Sequence, residues 1–229
     1  MPFDTLAIVT AHQEADRLPA TLAALAEAFP GSRVIVADDG STDGGADVAR
    51  AAGAEVVRSE RTIGKGGIAT LAAERALALI DGEGTGPPPL ILLCDGDLAE
   101  TARDLPALAV PVRNGEADVT IAIFARKVGG GFGFAVNFSR WATRRKGGLE
   151  LTAPISGQRV LTVAALRAVL PFAPNYGMET AMNIDAARAG LRVREVELPL
   201  AHRATGKTLR GFLHRARQLR DFIGVYLRR

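Results

Sequence analysis

The chain has 229 residues, 48% of them apolar and 23% charged, with a formal net charge of +3; that is enough for one large domain or two small ones around a real core. No apolar run reaches the ~18 residues a membrane-crossing helix needs, and "LAIVTA" at Leu6–Ala11 lacks the basic leader and the length of a signal peptide. Cys94 is the only cysteine, which excludes an intramolecular disulfide and suggests a cytoplasmic protein, while 5% aromatics and no zinc-finger or RNA-binding signature argue against nucleic acid.

Taken in chain order, short Val/Ile/Leu-rich runs predict strands at Leu6–Ala11, Arg33–Asp38, Glu55–Arg58, Leu90–Cys94 and Asp118–Phe124. Ala/Leu-rich helical patterns lie between them at Leu18–Phe29, Asp43–Ala52, Gly67–Ile80 and Arg103–Arg113, with Gly31 and Gly53 as stops. Strands alternating with helices, and lacking strict period-two polarity, predict an α/β fold with a mostly parallel sheet covered on both faces. After about Gly129 the alternation weakens. Helices are expected near Phe138–Lys146 and Met178–Ala189, and a strand near Val193–Leu198. A C-terminal amphipathic helix follows, with Leu209, Phe212, Leu213, Ala216, Leu219, Ile223 and Leu227 on one face. The expected organisation is one domain over 1–229, with a nucleotide-binding half (1–128) and an acceptor-shaping half (129–229). Residues Thr205–Arg229 carry seven Lys/Arg against Asp221, or +6, which leaves −3 for the rest. A basic tail of this kind either meets an anionic partner, such as a phosphate or a membrane surface, or is a solvated helix face.

In open parallel sheets, ligands sit beyond the carboxyl ends of the strands. There this sequence places "TAHQE", "DDGSTDG", "RTIGKGG" and "CDGD". Asp95 and Asp97 are separated only by Gly96, and two like charges that close repel unless a positive charge lies between them. Mg²⁺ or Mn²⁺, held by one or two carboxylates and a substrate's phosphates, would relieve that repulsion; a plain surface turn is the alternative. Asp38 or Asp39 suits the hydrogen bonds of a pyrimidine imide or a ribose, while Ser41 or Asp43 suits an N-cap of the next helix. Lys65, in "GKGG" before a helix, is placed either to meet phosphate or to sit in a flexible turn. His202 would complete a Mn²⁺ site if the fold returns it to Asp97; His12 and His214 have weaker claims. Glu179 opens a helix, as a dipole-favoured surface acid, a sugar ligand or a general base.

Together, "TAHQEADRLPATLAAL", "VIVADDGSTDGGADVA" and "CDGD" resemble the opening, Asp-Asp-Gly-Ser and Asp-x-Asp segments of the GT-A-fold, family 2 nucleotide-diphospho-sugar glycosyltransferases. "GKGG", "PISGQRVL", "NYGMETAMNID" and "HRATGK" are similar to two narrower groups, the glucosyl-3-phosphoglycerate synthases and the polyprenyl-phosphate glycosyltransferases. The resemblance implies a GT-A (Rossmann-like) sheet flanked by helices. It implies that Thr10, Ala11, Glu14, Asp38, Asp39 and Gly40 line the nucleoside, with Lys65 on the diphosphate or sugar and Asp95 on ribose or sugar. Asp97, with Asp95 and His202, would hold the metal. Ser156, Gly157, Arg159, Glu179, Arg203 and Lys207 would border the acceptor. Gln13 stands where the family has Asn or Asp, and "GGGFGFAVN" replaces the Gly-Arg-Val-Thr acceptor segment of the phosphoglycerate synthases.

The activity implied is a metal-dependent transfer of a hexose, glucose from UDP-glucose in the first instance, to a small or lipid-linked anionic acceptor. Lys65, Asp97 and Glu179 would be the catalytic residues, and Arg126, Lys127, Arg144, Arg145 or the tail arginines would receive the acceptor's phosphate. The tail would lie against the inner face of a membrane, and a homodimer is left open. The rivals are a sugar-phosphate nucleotidyltransferase, disfavoured because "TAHQEADRL" has no glycine, and an inactive sugar-nucleotide-binding or membrane-docking module.

Overall fold

A computed structural model describes residues 3–82, 86–125, 134–200 and 220–229. The expectations for Arg126, Lys127, His202, Arg203, Lys207 and His214, and for the apolar positions 209–219, lie outside these residues. The first half alternates strand and helix as its hydrophobic pattern requires: β1 (Thr5–Ala11), α1 (Leu18–Ala28), β2 (Arg33–Asp38), α2 (Gly45–Ala51), β3 (Glu55–Arg58), α3 (Lys65–Gly82), β4 (Leu90–Asp95), α4 (Pro106–Arg113) and β5 (Val119–Phe124). The second half contributes α5 (Phe134–Gly147), β6 (Arg159–Leu161), α6 (Val163–Val169), α7 (Met178–Arg188) and β7 (Val193–Leu198). A last helix, α8, covers residues 220–228.

The described strands form one seven-stranded sheet in the order β3-β2-β1-β4-β6-β5-β7. All pairings are parallel except those of β6, which runs antiparallel to β4 and β5. Side chains alternate across the sheet. Ala7, Val9, Leu92 and Val160 point into one layer with Leu18, Leu22 and Leu25 of α1 and Leu108 of α4. Leu6, Ile8, Ile91 and Ile121 point into the other, with α3, α6 and α7. Both faces are therefore sealed, which explains why the strands read as unbroken apolar runs.

Several expectations shift. The helix expected over Arg103–Arg113 divides into a 3₁₀ turn at Ala99–Asp104 and α4, because Pro106 has no N–H to continue the first segment and instead begins the second. Strand β6 and helix α6 were not anticipated. Three residues are too few to show a period, although Thr162 does mark the helix start by accepting from the Ala165 N–H at 3.0 Å. The amphipathic face expected for the tail is turned. In α8, Phe222 and Val225 are buried, whereas Ile223 and Leu227 are 41% and 75% exposed.

Helix α3 lies close to the sheet because its inner face is Ala69, Ala72, Ala73 and Ala76, all fully buried. Small side chains set that distance, and a dense interior has no room for three more carbons. Ala72→Leu is expected to destabilise the fold by about 1–3 kcal/mol, measured as a lower urea midpoint at unchanged m-value.

Candidate active site at the carboxyl edge of the sheet

Strand register assembles the site. Thr10 at the end of β1 stands opposite Asp95 at the end of β4, and Ala11 stands opposite Asp38 at the end of β2. Because β6 runs the other way, its entry rather than its exit lies at this edge, which brings "SGQ" (Ser156–Gln158) alongside Asp95. The Asp95 carboxylate accepts from the Thr10 hydroxyl at 3.0 Å and from Gln158 Nε2 at 2.9 Å. Lys65 Nζ lies 2.6 Å from Asp95 Oδ1 and 2.8 Å from Glu179 Oε1. The positive charge that the sequence demanded beside Asp95 is thus, in the first place, an ammonium from the chain itself. Burial opposes the charge on Lys65, but the Asp95 and Glu179 carboxylates and their hydrogen bonds outweigh it and hold its pKa above the ordinary lysine value. Burial likewise pushes Asp95 up, and the Lys65 charge and hydrogen bond, with those of Gln158 and Thr10, bring it below the usual carboxylate range.

Lys65 is aimed by the segment before it. The two oxygens of Asp39 accept from the Ile63 N–H at 2.7 Å and the Gly64 N–H at 2.9 Å. The "GKGG" segment is packed rather than loose. A Cβ on Gly66 would come within 1.8 Å of the Ala173 carbonyl oxygen, and one on Gly64 within 2.0 Å of the Asn175 amide oxygen. Lys65 opens α3, two residues ahead of the expected start. Asp38 is 1% exposed, caps the Ser41 N–H at 3.0 Å and faces Arg58 Nε at 3.3 Å. Gly40, at φ +72°, lies against the Arg61–Thr62 backbone.

Asp97 follows on a turn fastened from α1. The buried Thr21 hydroxyl donates to the Gly96 carbonyl and accepts from the Ala99 N–H, both at 2.8 Å, and Arg17 donates to the Asp97 carbonyl at 3.2 Å. Among the described residues no three acids, histidines or cysteines gather into a metal cage. Mg²⁺ or Mn²⁺ bound through one carboxylate and completed by substrate phosphates needs none. The half-buried Asp97, two residues past Asp95 at the carboxyl edge of the sheet, is of the residue type that donor set needs. Asp95 fits it less well, because both its oxygens already accept hydrogen bonds. Cys94 is buried, which with the charge of Asp95 pushes its thiol well above the ordinary range and makes it inert.

Of the residues the sequence singled out, Thr10, Lys65, Asp95, Gly157 and Glu179 meet at one point. Glu179 is 5% exposed, which corrects the surface-acid alternative. Asp38 and Asp39 are 1% and 5% exposed, and their carboxylates accept backbone N–H groups of the adjoining loops. Arg159 is 1% exposed and donates to the carbonyls of Ser156 and Pro154 and to Asn183 Oδ1, so it braces the 154–156 loop from beneath. Burial lowers its pKa to about 10 against the pull of Glu179 and Glu195, and it stays charged at neutral pH. Ser156 and Ala11 are buried, and the Glu14 carbonyl accepts from the first N–H groups of α1. The N-cap of α2 is Gly44, in a left-handed conformation and with no side-chain cap, so neither Ser41 nor Asp43 takes the N-cap position expected of it, and Asp43 binds backbone on both sides instead. It accepts from the Gly45 N–H at 3.0 Å and also ties down Ala15 at 2.8 Å. Gln13 adopts φ +58°, a left-handed conformation that Asn and Asp enter more readily. Sequence inspection missed Gln158 and Thr21; the only signals were a polar residue entering an apolar strand and a hydroxyl on the inner face of a helix.

Comparison with known proteins agrees with this geometry. A family model described as Glycosyl transferase family 2 matches residues 6–166. An undecaprenyl-phosphate mannosyltransferase from Micrococcus luteus is 32% identical over 224 residues, covering 89% of this chain and 86% of that protein. Glucosyl-3-phosphoglycerate synthase from Mycobacterium tuberculosis, in complex with phosphoglyceric acid, is 27% identical with a TM-score of 0.74, covering 98% of this chain and 79% of that one. The same enzyme with Mn²⁺, UDP-glucose and phosphoglyceric acid is 25% identical with a TM-score of 0.72, covering 98% and 80%.

Two outcomes test the site. Asp95 is held low in the folded state, so its contribution to stability is present above the ~3.9 of an unfolded aspartate and lost as pH falls through the lower folded value. The stability gap between the native protein and Asp95→Asn, followed by urea unfolding, should be flat near neutrality and close below about pH 4. At Gly157, a Cβ would stand 2.6 Å from Lys65 Nζ and 2.8 Å from Asp95 Oδ2. Gly157→Ala should therefore push Lys65 off Asp95, weaken donor binding by about tenfold or more in calorimetry, and lower the melting temperature, since breaking a largely buried ion pair leaves a charge uncompensated at a cost of about 3–5 kcal/mol.

Proposed function

The chain belongs to glycosyl transferase family 2, and from that premise we propose that it transfers a hexose from a nucleotide-diphospho-sugar, UDP-glucose in the first instance, to a phosphate-bearing, lipid-linked acceptor with the help of Mg²⁺ or Mn²⁺. The observation that carries this reading is the Lys65 ammonium, fixed 2.6 Å from Asp95 and 2.8 Å from Glu179 at the carboxyl edge of the sheet. A departing nucleoside diphosphate gathers negative charge, and a cation already oriented there stabilises it without reorganisation. Lys65 is held protonated, so it serves as a fixed charge and not as a base. Thr10 and Gln158 keep Asp95 turned toward Lys65, and Asp95 is left to meet a sugar or ribose hydroxyl with its remaining lone pairs. Glu179 would hold a sugar or acceptor hydroxyl; an acceptor whose nucleophile is itself a phosphate needs no strong base. Asp97 would hold the divalent ion, which when bound acts as a Lewis acid on the diphosphate. The 1–128 half would supply the donor side and the 129–229 half the acceptor side.

The acceptor class is supported from two directions. The related proteins are named for undecaprenyl phosphate and for phosphoglycerate, and both of these carry phosphate. Between them, the lipid is favoured because "GGGFGFAVN" stands in place of the phosphoglycerate synthases' acceptor segment. A lipid-linked acceptor would bring the protein to a membrane face, although among the described residues no helix is long and apolar enough to cross one.

Incubation with Mn²⁺ and radiolabelled UDP-glucose is expected to label a polyprenyl phosphate and leave 3-phosphoglycerate unlabelled, with GDP-mannose as the competing donor. Asp97→Ala should abolish turnover while circular dichroism stays unchanged. Lys65→Met should lower kcat by about 10²–10³-fold, the usual scale for a preorganised charge-stabilising donor. Calorimetry that detects no sugar-nucleotide binding would overturn the proposal.

A further inference from the structure

Helices α5 and α8 lie side by side and turn apolar side chains outward that a water-soluble surface would normally cover. Phe134 is 72% exposed and Trp141 48% on α5; Ile223 and Leu227 are 41% and 75% exposed on α8. The two stripes are joined by an aromatic cluster. Trp141 lies 4.8 Å from Tyr226 between ring centroids and 5.5 Å from Phe138, and Phe138 lies 6.3 Å from Tyr226. Cations border the cluster. Arg144, Arg145 and Lys146 form the last turn of α5, and Lys146 Nζ sits 4.6 Å over the Tyr226 ring. Arg220 and Arg228 flank the apolar residues of α8. Two carboxylates approach this group, Glu150 on Arg144 at 3.5 Å and Asp221 on Arg220 at 3.3 Å. Five cations against two acids leave the patch positive. Arg229, by contrast, is tied to Asp185 at 2.9 Å and plays no outward part.

We propose that this α5–α8 face docks onto an anionic lipid bilayer, with Trp141, Ile223 and Leu227 entering the headgroup region and the surrounding Arg and Lys side chains on lipid phosphates. Trp and Tyr beside Arg and Lys suit a boundary that is apolar on one side and wet on the other. The buried side of α8 holds the face rigid. Phe222 is 1% exposed and Val225 6%, so Ile223 and Leu227 cannot be turned inward without pulling those two out. A second copy of this chain is a poorer occupant. A two-fold contact would bring the patch against itself, like charge on like.

The inference deepens the lipid-acceptor reading, but its test does not share that reading's fate, because the vesicles used carry neither donor nor acceptor. Trp141 is the only tryptophan in the chain, so intrinsic fluorescence reports on this face alone. Vesicles of phosphatidylcholine with about 30% phosphatidylglycerol are expected to shift the emission to the blue and to sediment the protein at least about tenfold more strongly than pure phosphatidylcholine does. High salt should reduce both effects. The double variant Ile223→Ser/Leu227→Ser should lose sedimentation about tenfold or more while keeping the native far-ultraviolet dichroism and a cooperative thermal unfolding transition. No shift with anionic vesicles, or equal binding to neutral ones, would overturn the proposal. So would a shift that appears with rising protein concentration alone, accompanied by a dimer mass in light scattering; that result would assign the face to a second copy.

Discussion

A lysine between two carboxylates organises this molecule. Lys65 is the first residue of α3, Asp95 comes from the end of β4 and Glu179 from the first turn of α7, so one ammonium ties together three elements that are distant in sequence. Each of the three charges would be costly on its own in so enclosed a place; together they compensate one another. The surrounding contacts follow from that requirement. Asp39 fixes the loop that delivers Lys65, Thr10 and Gln158 hold Asp95, and Gly157 has no side chain because none fits between the ammonium and the carboxylate. The same compensation limits the chemistry. A lysine kept charged by two acids contributes a field and no proton transfer, which suits the stabilisation of a leaving group.

The parts of this arrangement that follow from local pattern were legible in the sequence. The five strands of the first half and their polar C-terminal extensions could be read from runs of Val, Ile and Leu ending in "TAHQE", "DDGSTDG" and "CDGD". That was enough to predict that Thr10, Lys65 and Asp95 share an edge. What could not be read was direction. β6 has three residues and reverses the sheet locally, and only that reversal explains why Gly157 and Gln158 reach Asp95. Roles were harder still. Asp38, Asp39 and Arg159 carry charges that look available to a ligand, yet all three are buried and their hydrogen bonds go to the chain. Hydrogen-bond partners at long sequence separation leave no trace in composition or periodicity, whereas a turn or a strand does.

The Asp-Gly-Asp turn shows how one motif separates into two functions. Asp95 belongs to the strand, and its carboxylate is drawn to Lys65. Asp97 lies past Gly96, on a turn that Thr21 clamps from both sides through the Gly96 carbonyl and the Ala99 N–H. The repulsion expected between two neighbouring carboxylates is relieved at Asp95 by the protein itself. Asp97 is held instead through its backbone, whose carbonyl accepts from Arg17 at 3.2 Å.

Helix α7 links the lysine site to α8. One face of this helix carries Glu179 toward Lys65. Another carries Ala181 and Ile184 under Val225 of α8. Gly177, just ahead of α7, makes room for that seam; a Cβ there would stand 2.6 Å from Val225 Cγ2. The helix that turns Ile223 and Leu227 outward is therefore seated on the helix that holds the second carboxylate of the lysine. A lipid-borne phosphate is confined to the headgroup plane, so an enzyme that uses one must hold its catalytic cation at a fixed height and angle above that plane. Under the lipid-acceptor proposal, the close-packed seam between α7 and α8 would supply that constraint through packing alone, since interiors at this density do not deform continuously. Specificity for a membrane-confined acceptor would then come as much from where the body of the protein sits as from any contact with the acceptor itself.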